Sequence, residues 1–143
     1  MKLGIRSLSY VAGTKVSDFS MLPPGSRIKF SDFLSGDLVA LPFTPETADF
    51  SEQWNYDENG EYSEVQFTAS VRADKENYRD ILRHLSGKNH IYRVELISGV
   101  KYIIGSREFM PTFSYSDRVS GNSSNGFTIM ISCRSLHGCL IDE

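Results

Sequence analysis

Residues 64–71 read EVQFTASV, and apolar and polar side chains alternate through them without a break. Val65, Phe67, Ala69 and Val71 fall on one face; Glu64, Gln66, Thr68 and Ser70 fall on the other. A period of two marks a strand with one buried and one wet face. Just before it stands Asn59-Gly60. That dipeptide is a strong hairpin signal, because a type I′ turn needs φ > 0 at both central residues. Residues 50–56 then form the first strand of the hairpin, with Trp54 and Tyr56 expected opposite Tyr62 and Val65. One face of this antiparallel pair is too apolar to remain in water, so a second layer must cover it.

The next segment supplies part of that cover. Asp74 is placed to accept from the free amides of a first helical turn. Tyr78, Ile81, Leu82 and Leu85 follow at i, i+3, i+4 and i+7 as one apolar stripe, and Gly87 provides a left-handed stop. A helix over about residues 75–86 is predicted, lying on a sheet. Beyond it, residues 90–97 alternate Tyr92, Val94 and Leu96 against Ile91, Arg93 and Glu95. Ser98-Gly99 turns the chain into residues 100–106, and residues 108–116 continue as a strand with Pro111 at an edge or bulge. After the polar loop GNSSNG, residues 127–133 alternate Phe127, Ile129, Ile131 and Cys133 against Thr128, Met130 and Ser132. The latter reads as a central strand.

The N-terminal third is less regular. Residues 3–11 form a strand of imperfect alternation, and short strands are expected at 27–30 and 38–41. Otherwise residues 12–47 read as a long irregular loop or arm. Pro23, Pro24, Pro42 and Pro45 remove backbone donors, and Gly25 and Gly36 punctuate the chain. Yet Phe19, Leu22, Phe33, Leu34 and Phe43 are too apolar for a solvated linker. Something must bury them, either the domain's own core or a neighbouring subunit, and they are the candidate assembly contacts. The last residues, from Leu136, show no pattern. Seven to nine strands and one helix predict a single mainly β domain over 1–143, a β-sandwich or small barrel with a flanking helix. Its core is expected to gather Val65, Phe67, Ala69, Val71, Ile81, Leu82, Leu85, Val94, Leu96, Phe127, Ile129 and Ile131.

Charge excludes some functions. The chain carries 15 Lys and Arg against 18 Asp and Glu. Residues 1–60 hold five basic and eight acidic residues and the rest holds ten of each, so there is no basic footprint for a specific nucleic-acid contact. No apolar run is of bilayer-spanning or signal-peptide length, and synthesis in the cytoplasm is expected. Cys133, His137 and Cys139 lie close in sequence and would need His84 or His90 as a fourth ligand to hold a structural zinc. The plainer reading is one strand cysteine and one tail cysteine, with no metal and no cofactor. Trp54 and the seven tyrosines suit a sugar-stacking platform or, more simply, cross-strand pairs and core. No nucleophile elbow, phosphate-cradling glycine loop or metal-binding helix motif is present, and no catalytic residue is assigned.

The order of residues 49–132 resembles that of tail structural proteins of tailed phages and prophages, of tube or baseplate type. The similar features are the hairpin strand YSEVQFTASV, the helix YRDILRHLSG, the strand pair YRVELISGVKYIIGS, and the polar loop GNSSNG leading into GFTIMIS. The resemblance implies a compact sandwich with one flanking helix. It implies a non-enzymatic subunit that assembles with itself into rings, typically hexamers, around a channel. Other tail proteins would be its partners and the virion tail its final location. A carbohydrate-binding module and a small β-rich enzyme are the alternative classes.

Overall fold

A computed structural model describes residues 4–19, 21–23, 25–41, 43, 48–58, 60–72, 77–86, 88–118 and 126–142. Ten strands are named in chain order: β1 Ile5–Ala12, β2 Arg27–Ile28, β3 Val39–Ala40, β4 Asp49–Asp57, β5 Gly60–Arg72, β6 His90–Leu96, β7 Lys101–Ile104, β8 Thr112–Arg118, β9 Gly126–Ser135 and β10 Leu140–Asp142. One helix, α1 Asn77–Ser86, joins β5 to β6. The strands form a six-stranded sheet, β2-β10-β7-β6-β1-β3, and a four-stranded sheet, β4-β5-β9-β8. The molecule is thus mainly β, a two-sheet sandwich with one helix and not a closed barrel. Pairing is antiparallel throughout except between β10 and β2.

The alternating strands do what their period demands. Val65, Phe67 and Ala69 of β5 and Phe127, Ile129, Ile131 and Cys133 of β9 are buried. They meet Ile5, Leu8, Tyr92, Val94 and Ile104 of the larger sheet, and Leu82 and Leu85 of α1 join them. Ile81 and Leu96 pack at the margin of the same cluster. The side chains of Val71 and Tyr78, and the capping positions Asp74 and Gly87, lie outside the described residues. β9 sits between β5 and β8, as its pattern requires of a central strand.

One expectation is corrected, and two segments that the sequence left open are placed. The correction is to the hairpin register. Asp57 pairs with Gly60, and Gly60, at φ 114°, opens β5. The tip lies one residue earlier than Asn59-Gly60 implies. Trp54 therefore stands opposite Ser63, Tyr56 opposite Glu61, Tyr62 opposite Asn55 and Val65 opposite Glu52.

The first of the two segments is the C-terminal one. β10 is an interior strand between β2 and β7, with Leu140 fully buried. The Asp142 carboxylate accepts from the Phe30 amide at 3.0 Å and pairs with Arg93 at 3.2 Å. Three residues are too short for any sequence period to show.

The second is the irregular region after β1. It is no bare arm. Val11, Ile91, Ile103 and Leu140 project from the far face of the six-stranded sheet, and Val16, Phe19, Ile28 and Phe30 cover them in a second core. Phe19 meets Phe30 and Phe33 edge-on at 6.1 and 5.6 Å. Leu22, Phe33 and Leu34 pack at its margin, while Phe43 lies edge-on to Phe67 at 5.7 Å in the inter-sheet core. All five candidate assembly contacts therefore have cover from their own chain.

Prolines and glycines did not prevent packing because the backbone is satisfied without long strands. Two 3₁₀ turns, Gly13–Lys15 and Phe30–Phe33, make local bonds. Longer ties run from the Ser17 amide to the Phe33 carbonyl (2.7 Å), from Ser35 to Lys15 (2.8 Å) and from Leu41 to Leu8 (2.8 Å).

Candidate functional site

The hairpin leaves a long sheet edge with no partner strand among the described residues. The two edges of the six-stranded sheet, β2 and β3, are two residues long. In the four-stranded sheet, β8 begins just after Pro111 and packs beside α1. β4 is nine residues long, pairs only with β5 among the described strands, and is exposed or half-exposed along its whole length. An antiparallel hairpin closed by two residues has a hydrogen-bonded closing pair, after which bonded and non-bonded pairs alternate. With 57 and 60 as that pair, the amides of residues 52, 54 and 56 point away from β5. β4 carries Asp49, Glu52 and Asp57 and no basic residue.

The solvent face of this sheet is polar. Register places Ser51, Gln53 and Asn55 beside Gln66, Glu64 and Tyr62, and these beside Ser132 and Arg134. Thr112, Ser114 and Ser116 of β8 continue the face. Glu64 and Arg134 pair at 2.7 Å, and the Arg134 guanidinium lies 4.6 Å above the Tyr62 ring. That pair is exposed and adds little to stability, but it leaves the two charges compensated.

On its inner face β4 reaches past the larger sheet's core. Phe50 stacks on Tyr102 at 5.5 Å. Trp54 and Glu52 close over Gly138, where a Cβ would lie 2.8 Å from the indole and 2.7 Å from the carboxylate; the backbone there has φ 69°. Glu52, Trp54, Glu61, Tyr102 and Ile141 border a cleft of about 490 Å³. Tyr56 is 85% exposed and Trp54 is 37% exposed. The other aromatic contacts are internal: Tyr92 stacks on Phe113 at 6.1 Å, and Tyr115 meets Phe127 edge-on at 6.1 Å.

The residues considered as zinc ligands have other work. His137 is buried, with Nδ1 2.7 Å from the Gly138 carbonyl and Nε2 3.0 Å from the Ser106 hydroxyl. A neutral imidazole satisfies both, donating at Nδ1 and accepting at Nε2. Burial lowers its pKa, the bond to Gly138 opposing. The Cys133 thiol donates to the Phe109 carbonyl at 3.2 Å, and burial pushes its pKa up to about 12. Cys139 is pushed up by burial and then by Glu52. No group of three or more potential ligands is assembled among the described residues. His84 and His90, named as possible fourth ligands, instead face each other at 5.7 Å. No helix described is long and apolar enough to cross a membrane.

The significance of β4 is not apparent from its residues alone. The signal they offer is a long strand with an acidic, aromatic-bearing edge beside an internal partner. No family model, curated protein or solved structure matches the chain.

Proposed function

We propose that this protein is a non-enzymatic structural subunit of a phage or prophage tail, of tube type, which associates with itself into rings. The observation that carries the reading is the open β4 edge, nine residues of strand with outward amides and no cover among the described strands. Soluble β proteins blunt such edges, and a strand left open is a template for another chain.

The charge of β4 selects the kind of contact. Two copies paired antiparallel about Gln53 would set Asp49 against Asp57, and like charges opposite one another repel. The neighbour therefore offers a different surface. Contacts between unlike surfaces, if they close, close into rings. The hydroxyl- and amide-rich face of the four-stranded sheet suits the wall of a channel. Its described side chains offer no cluster of cations to hold a polyanion in passage. The resemblance of the order of residues 49–132 to that of tail proteins supports the same reading, and β4 joins Phe19, Leu22, Phe33, Leu34 and Phe43 as a candidate contact.

The test is sedimentation and negative-stain microscopy across a concentration series. The parent protein should form larger species of fixed subunit number. Tyr56→Pro removes one outward amide while sparing the β4–β5 ladder, and should remain monomeric with an unchanged circular dichroism spectrum. A parent that stays monomeric at its solubility limit, or a variant that assembles equally well, would refute the proposal.

A further inference from the structure

A second feature lies where the end of β1, the end of α1, the start of β6 and the loop before β8 converge. Ala12, Gly13, Thr14, His84, Lys88, His90, Arg107 and their neighbours border a cavity of about 570 Å³. Four of these side chains are cationic or protonatable, and no carboxylate is among the lining residues. This happens in a chain whose net charge is −3.

The four are not explained together by the local fold. His84 sits in the last turn of α1 and Lys88 just beyond it, where cations complement the helix carbonyls. His90 comes from a strand and Arg107 from a loop, and the helix end accounts for neither. Neither Lys88 nor Arg107 forms an ion pair with a described residue. The geometry also orients one ring. His90 is 4% exposed, held by Tyr10 edge-on at 5.5 Å and by the Lys88 carbonyl 3.3 Å from Nδ1. His90 lines the cavity with His84, whose ring lies 5.7 Å away. The Thr14 hydroxyl is exposed at the rim. Like charges gathered without a counter-ion repel, and an oxyanion placed among them turns that repulsion into attraction.

We infer that this cavity binds the phosphoryl group of a small phosphorylated molecule or free phosphate, with Arg107 and Lys88 as charged donors, and with His84 and, in its imidazolium form, His90 as ring donors. Arg107 presents a fork suited to two phosphate oxygens, and Lys88 adds a point charge. The inference does not depend on ring assembly. Burial, followed by the charges of His84 and Lys88, lowers the His90 pKa, while its bond to the Lys88 carbonyl raises it. A bound oxyanion raises it further.

Calorimetric titrations with inorganic phosphate, ribose 5-phosphate and ribose test this, alongside imidazole proton spectra of His84 and His90. Saturable binding of one phosphate probe per chain is expected, with no response to ribose and with both imidazoles titrating at higher pH. If ribose 5-phosphate binds more tightly than phosphate the ligand is an ester; the reverse indicates the free ion. Arg107→Gln and Lys88→Gln, both at exposed positions, should each weaken binding by about tenfold or more. Absence of saturation by either phosphate probe overturns the assignment. So does binding that both variants retain at parental strength, or imidazole signals unmoved by phosphate.

Discussion

Phe67 stands between Phe50 and Ile131 across the ladders of β5, and no part of its ring reaches solvent. Strict alternation along residues 64–71 assigns it to that face without reference to any partner. Phe67→Ala should cost about 3–5 kcal/mol, read as a lowered denaturation midpoint; a melt unchanged from the parent would remove Phe67 from the core. His137 was less legible. Its neighbours Cys133 and Cys139 suggested ligands, but no sequence spacing tells that Ser106 and the Gly138 carbonyl will occupy both ring nitrogens. Its pH consequence has a definite sign. Burial holds the folded pKa of His137, like that of His90, below the ordinary 6.5, so the unfolded chain binds more protons as pH falls. The stabilisation is complete above about 6.5 and is lost as pH drops from there through the folded pKa values. Melting temperature measured from pH 8 to 5 should fall below about pH 6.5, and His137→Gln should flatten part of that fall. A parent whose stability is level across this range would contradict the buried neutral imidazoles.

At the scale of elements, legibility followed length. β5, β9 and α1 are long enough for their periods to be read, and all three lie where those periods placed them. β2, β3 and β10 have two or three residues each, so no period exists to read. Their strand character comes from neighbours instead. The second core illustrates this best. Phe19, Leu22, Phe33 and Leu34 gave an aliphatic and aromatic surplus without an address, and the address is the far face of β6, β7 and β10. Ile91 and Tyr92, consecutive and both buried, were the available clue that this sheet is covered on two sides. It follows that the covering segment belongs to the monomer. Phe30→Ala should lower global stability by about 3–5 kcal/mol at concentrations where the protein is monomeric, and limited proteolysis of the parent should spare the 25–41 region. Rapid cleavage there in the monomer, or a Phe30→Ala melt equal to the parent's, would return this segment to the status of an arm awaiting a partner.

Among the described residues, the molecule joins a closed interior to a long unpaired edge. The sandwich was legible because its hidden faces are written in alternation. The open edge was not, since whether a strand ends a sheet depends on pairings between distant segments, and β4 differs from an interior strand only in what fails to lie beside it. Under the proposed self-association, its acidity distinguishes two kinds of contact. In a two-fold dimer β4 would meet β4, and a subunit lacking a competent edge would merely stand aside. In a head-to-tail assembly each subunit has an edge and a separate receiving surface, so a subunit with a damaged edge can still be received and then ends the chain. Tyr56→Pro keeps every surface except the β4 edge. Labelled Tyr56→Pro mixed into parent protein at a minor fraction should therefore enter the assemblies. It should also reduce the yield of closed rings out of proportion to its share. Microscopy counts of rings against the fraction of variant give the readout. A yield that falls only in proportion to the parent protein removed, with no label in the assembled material, would favour a two-fold contact and dismiss the head-to-tail ring.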